Sequence, residues 1–169
     1  MSFSTGVVLA ALLSLIAQQR TPDIHFTPTR HNIADAMLRL ANVTANDVVF
    51  DLGSGDGRIP IIAAQKYGAR AVGIEINKDL VEISWQIANQ AEVADKVSFI
   101  AGDLFDADLS KATVVTAYLS TSIMKTLEPR LRALKPGTGI VSHQFTMPQW
   151  PPDRRVKVDE AEIMLWVVR

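Results

Sequence analysis

The sequence predicts an α/β fold, a parallel sheet with helices on its faces. Four short apolar runs follow one another, three of them trailed by segments of helical length and one by a loop, the pattern that successive strand-helix units leave in a chain. Two of these runs end in an acid, Asp51 and Glu75, and a third acid, Asp103, follows the run Val97 to Ala101. Glycines at 53, 55 and 57 come directly after the first run, which marks a sharp strand-to-helix turn where the backbone takes positive φ and a ligand can approach closely.

The elements follow in order. Thr21 to Pro28 reads as a linker, with two prolines and no periodicity. Thr29 is placed to cap a first helix whose apolar stripe is Ile33, Met37, Leu38, Leu40 and Ala41. The four alternations are Val48 to Leu52 then Gly57 to Tyr67, Ala71 to Ile76 then Asp79 to Gln90, Val97 to Ala101 then a loop, and Thr113 to Leu119 then Thr121 to Leu134. Lys135-Pro136-Gly137 stops the last helix. Gly139 to Phe145 and Ala161 to Val168 read as two further strands joined by a stretch holding Pro148, Pro151 and Pro152, which suggests an antiparallel pair at a sheet edge.

The chain has 169 residues, enough for one domain with a substantial core. Seventeen basic residues against eighteen acidic ones leave a net charge of -1 and no global basic field for wrapping nucleic acid. With no cysteine there is no disulfide framework, thiol nucleophile or cysteine metal site. Asp106 and Asp108, without a histidine beside them, read as turn residues rather than metal ligands. Met1 to Gln19 carries no charged side chain. As a helix it would span about 28 Å, near the hydrocarbon thickness of a bilayer. It lacks the basic start of a signal peptide, and Arg20 and Arg30 follow it, which would keep the remainder on the cytoplasmic face. Residues 1–19 are therefore read as an anchor or signal-like segment and 20–169 as the functional domain; docking of the segment on the domain is the remaining alternative.

The glycine spacing selects among nucleotide ligands. A dinucleotide fingerprint wants Gly-x-Gly-x-x-Gly, but Arg58 holds the last position and the third glycine comes one residue early. An acid before the first glycine, the Gly-x-Gly-x-Gly spacing and an acid at the second strand's end resemble the S-adenosylmethionine (SAM) site of class I methyltransferases. In that reading Asp51 balances the positive end of the methionine moiety, with Gly53 and Gly55 beneath it. Glu75, with Ile76 beside it, accepts the ribose hydroxyls. Asp103 accepts from the adenine amino group while Leu104 packs on the ring. Asp56 serves either as the cap of the following helix or as a ligand contact.

A narrower resemblance lies in Phe26-Thr27-Pro28-Thr29 with Ala36-Met37-Leu38, in Asp51 to Ile59, in Asp108 to Val115, in Leu134 to Thr138, and in Ser142-His143-Gln144-Phe145 with Trp150. These segments are similar to the FAM173 and archaeal protein-lysine N-methyltransferases, over about residues 24 to 168. The resemblance implies a Rossmann-like, seven-stranded, mostly parallel sheet with an antiparallel last strand. It also implies transfer of a methyl group to lysine side chains of a protein, and Phe26 near the cofactor where the family usually has Tyr. Gln144 stands where the family usually has an acid, Arg30 where it has Pro and Met124 where it has Asn.

Methyl transfer needs a positioned amine more than a dedicated nucleophile. Phe26, Tyr118 and Trp150 are candidates for an apolar wall favouring the neutral amine, and His143 is a candidate proton relay. Arg154, Arg155 and Lys157 read as a solvated loop that can greet an acidic partner. The expected partner is a protein with an accessible lysine. The rivals are methylation of a small molecule or lipid, and a silent SAM-binding protein tethered at a membrane.

Overall fold

Seven strands form one sheet in the order β3-β2-β1-β4-β5-β7-β6, in a computed structural model that describes residues 26–169. The expected apolar segment 1–19, its boundary at residue 20 and most of the expected linker lie outside the described residues. The strands are β1 (Val48–Leu52), β2 (Arg70–Glu75), β3 (Val97–Ala101), β4 (Val114–Ala117), β5 (Gly139–His143), β6 (Arg154–Val158) and β7 (Ala161–Val167); the helices are α1 (His31–Leu40), α2 (Arg58–Tyr67), α3 (Lys78–Gln90) and α4 (Thr121–Arg132). The pairs β1–β2, β2–β3, β1–β4 and β4–β5 are parallel, and β7 runs antiparallel to both β5 and β6. The expected mostly parallel sheet with an antiparallel last strand is the one observed.

Alternation along the strands divides the core into two layers, because successive side chains leave opposite faces. Val49, Ala71, Val97, Val114, Val141 and Ile163 pack with α1 and α2 residues on one face. Phe50, Leu52, Ile74, Val115, Ile140 and Trp166 pack with Ile123, Met124, Leu127 and Leu131 of α4 on the other. Helices therefore cover both faces, as the strand-helix alternation predicts.

Three local expectations need correction. Thr29 does not cap α1; Arg30 holds that position without a side-chain cap bond. Thr29 is buried instead, its carbonyl accepting from Arg58 Nη1 at 2.8 Å. Helix α2 begins at Arg58 with Gly57 as its N-cap, at φ 77°. The stretch read as a solvated link contains β6, which is exposed along most of its length and joined to β7 by the Asp159-Glu160 turn, with Val158 opposite Ala161. As an edge strand with solvent on both faces, β6 carries little of the apolar signal that marks a strand, and its Arg154, Arg155 and Lys157 suit an edge protected against further pairing. Arg155 reaches Glu162 on β7 at 3.2 Å.

Sequential strands run outward from β1 to β3, and β4 then returns to the other side of β1. That reversal opens a crevice at the carboxyl ends of β1 and β4, where open α/β sheets bind ligands.

Candidate active site

The turn after β1 is built as a receptacle. Gly53 and Ser54 donate backbone N–H groups to the Ile74 carbonyl at 2.9 and 3.0 Å, which ties the turn to β2. Gly55 has φ 55°, and a Cβ there would collide with the Phe26 ring, so only glycine lets that ring lie against the turn. Glu75, at the end of β2, is 8% exposed and held by two backbone donors: Gly55 N to Oε2 and Asn77 N to Oε1, both at 2.9 Å. Asn77 in turn caps α3 by accepting from Asp79 N. The carboxylate is thus fixed in orientation by the turn and by the start of α3.

Asp51 is 3% exposed and accepts from Thr116 Oγ1 at 2.7 Å. Burial first, then the nearby Glu75 and Asp56 carboxylates, push its pKa up to about 7 against the pull of the Thr116 hydroxyl. Asp56 is not the N-cap of α2. Its oxygens hold the Arg58 guanidinium, through Nε at 2.9 Å and through Nη2, and it accepts only a long 3.4 Å bond from Arg58 N. Since Arg58 also donates to the Thr29 carbonyl, the residue that breaks the dinucleotide pattern straps the 26–29 segment to the glycine turn.

These groups enclose a cavity of about 600 Å³, inside the range of about 300–1,000 Å³ usual for small-molecule sites. Of the residues singled out in the sequence, Phe26, Asp51, Gly53, Asp56, Glu75, Ile76, Asp103, Leu104 and Tyr118 line it. Gly55 contributes through its N–H to Glu75. Asp103 Oδ1 accepts from Phe105 N at 2.9 Å, and Arg130 Nη1 donates to the Leu104 and Phe105 carbonyls, so α4 holds the loop after β3 against the cavity.

Two candidates lie elsewhere. Trp150 does not line the cavity: its ring faces Trp166 and the Arg132 guanidinium, and its carbonyl accepts from Trp166 Nε1. The physical reason is the turn before it. Gln149 donates to Glu128 and accepts from Arg132, which folds the segment onto α4. His143 is 8% exposed, stacks on Tyr118 with ring centroids 4.0 Å apart, and stands with Nδ1 3.5 Å from Thr29 Oγ1. Burial, and then Arg30, lower its pKa, and the ring stands behind Tyr118, outside the residues that line the cavity. Phe145, which the sequence marks only as the end of the Ser-His-x-Phe motif, lines the cavity and stacks on Tyr118 at 5.8 Å; the sequence reads the strand through residue 145, and only the end of β5 at His143 places this ring past the strand's carboxyl end. Leu119 and Ile123 also line the cavity, and only their approach in three dimensions identifies them.

Comparison with known proteins agrees with this geometry. The model of the ANTKMT methyltransferase domain matches residues 51–154, a span that contains the glycine turn, Glu75, Asp103 and Tyr118. This chain belongs to that family. The methyltransferase is 38% identical over 144 residues to a protein-lysine N-methyltransferase of Saccharolobus islandicus, covering 84% of this chain and 89% of that one. It is 38% identical over 104 residues to the adenine nucleotide translocase lysine N-methyltransferase of Mus musculus, covering 60% of this chain and 45% of the mouse protein. A crystal structure described as an RNA methyltransferase from Salinibacter ruber with S-adenosyl-L-homocysteine superposes with a TM-score of 0.83 at 51% identity, over 84% of this chain and 94% of the other.

The cofactor of the methyltransferase is SAM, and the cavity fits it. A buried acid lies at the glycine turn, a carboxylate fixed by two backbone N–H groups ends β2, and Asp103 with Leu104 follows β3, all lining the one cavity, a donor set that suits the cationic, diol and adenine parts of such a molecule. The sheet order places these acids at β1, β2 and β3, whereas Tyr118 and Phe145 sit at the ends of β4 and β5. One half of the cavity is thus polar and suited to the cofactor, and the other is aromatic.

Proposed function

We propose that the methyltransferase modifies lysine side chains of a protein. The observation that carries this reading is the aromatic half of the cavity, where Tyr118 and Phe145 stack with their planes 22° apart. An aromatic wall suits the long aliphatic stem of a side chain ending in an amine. Lysine arrives protonated, with an ordinary pKa near about 10.4, and burial favours its neutral, nucleophilic form. SAM supplies an electrophilic methyl group bonded to a sulfonium. The chain's task is to hold the amine about 3 Å from that carbon, in line and away from water. Tyr118, Phe145 and Leu119 exclude water, the Asp51 carboxylate answers the positive end of the cofactor, and Glu75 fixes its sugar. The names of the archaeal and mouse relatives support the same acceptor.

A second reading, an RNA acceptor, is favoured by the description of the Salinibacter ruber structure. The net charge of -1 weighs against it, since phosphate contacts dominate nucleic-acid affinity. Incubating the enzyme with methyl-labelled SAM and a lysate separated into protein, RNA and lipid fractions decides between them. Label in protein, recovered as methyl-lysine, supports the proposal; label in RNA or lipid alone overturns it.

We also propose a location. The uncharged run Met1 to Gln19 precedes the cavity-lining Phe26 by only a short link, which favours a membrane-bound enzyme working on lysines near the cytoplasmic surface. Among the described residues no helix is long and apolar enough to cross a membrane. Alkaline extraction of membranes containing the full chain tests this: release into the soluble fraction would refute it.

A further inference from the structure

Asp51 is an acid at the carboxyl end of β1 with almost no solvent around it. It is buried, lines the cavity, and accepts one side-chain hydrogen bond among the described residues, from Thr116. Thr116 has no solvent exposure, does not line the cavity, and is paired in register with Asp51 across the β1–β4 junction. Its hydroxyl is therefore aimed along the sheet at a single carboxylate oxygen.

The groups facing Asp51 are few. From β2 it faces Glu75, whose oxygens are held by the N–H groups of Gly55 and Asn77. From the turn it faces Asp56, whose oxygens hold Arg58. From β4 it faces the neutral Thr116 alone. Burial and two neighbouring carboxylates thus oppose ionisation of Asp51, and one hydroxyl supports it. The cationic cofactor needs the ionised form.

We propose that Thr116 is a positioning residue for cofactor capture, its hydroxyl fixing Asp51 as a carboxylate turned toward the positive end of SAM. Asp51 of the apoprotein carries a proton up to about pH 7 and releases it on receiving the cation. Thr116 sets how readily that release occurs. This role belongs to the cofactor half of the cavity and holds whichever acceptor is methylated.

Two measurements on wild type, Thr116→Val and Thr116→Ser test it: NMR titration of the Asp51 carboxyl in the apoprotein, and calorimetric SAM affinity from pH 6 to 9. A hydrogen bond to a charged group is worth about one to two pH units of midpoint. Valine, which keeps the volume, is expected to raise the Asp51 midpoint by that amount. It weakens SAM binding about tenfold to a hundredfold at pH 6, with the ratio to wild type closing as pH rises to 9. Serine, which keeps the hydroxyl, stays close to wild type in both. An unchanged Asp51 midpoint in the valine variant, or an affinity loss equal at every pH, would assign Thr116 to packing and overturn the proposal. Serine behaving like valine would overturn it equally. Absence of SAM binding by the wild type would instead refute the cofactor site itself.

Discussion

Replacing Asp51 with Asn should make the apoprotein more stable while destroying its use for the cofactor. The carboxyl titrates at about 7 in the folded chain against an ordinary 3.8. Between about pH 4 and 7 the folded state therefore holds a proton that the unfolded state has lost. Stability falls as pH rises through that window and stays reduced above it. Each pKa unit is worth about 1.4 kcal/mol, which sets a ceiling of about 4 kcal/mol on the cost of an ionised Asp51 at pH 8. An amide removes this cost while its oxygen still accepts from Thr116, whose Oγ1 lies 2.7 Å from the carboxylate. Urea denaturation of the apoprotein at pH 5 and pH 8 measures it. Asp51→Asn should match wild type only near pH 4, already exceed it by about 1 to 2 kcal/mol at pH 5 and by up to about 4 kcal/mol at pH 8, and gain little from added SAM. If the variant is no more stable than wild type at pH 8, the strain assigned to this acid does not exist.

The remaining predictions concern neighbouring residues. Glu75→Ala should lower SAM affinity by at least a hundredfold in calorimetry if Glu75 is the ribose acceptor as proposed, and it leaves the Gly55 and Asn77 N–H groups without their present partner. Gly55→Ala should cost about 1–3 kcal/mol in thermal or chemical unfolding, from a positive φ and from displacement of the Phe26 ring. Trp150→Ala should reduce stability through lost packing on Trp166 and Arg132 yet leave SAM affinity within about twofold of wild type, since the ring stands outside the cavity. His143 should titrate below its ordinary 6.5 by NMR, since burial and Arg30 both disfavour the imidazolium; a midpoint above 6.5 would contradict its placement behind Tyr118.

The legible part of the site is local. Asp51, Gly53, Gly55, Glu75 and Asp103 can be read from the sequence because each stands at or just past the end of an apolar strand, and strand ends in a parallel sheet converge on one edge. The illegible part depends on chain segments far apart in sequence. Trp150 resembles a wall residue because it follows the Ser-His-x-Phe strand, but the hydrogen bonds of Gln149 to α4 carry it off. Phe145 does not stand out as a site residue because an aromatic in a strand is ordinarily core. The strand β6 escapes a reading by periodicity because solvent on both of its faces leaves weak apolar alternation.

Periodicity and glycine spacing alone determined the alternating α/β architecture and the glycine turn that lines the cavity, since these express backbone preferences and burial within a few residues of each other. Which side of β1 receives β4 was decided only by the folded sheet. That choice sets Thr116 against Asp51, divides the cavity into polar and aromatic halves, and gives a buried acid its unusual affinity for a proton, because desolvation and cross-strand contact are properties of neighbours in space rather than in sequence.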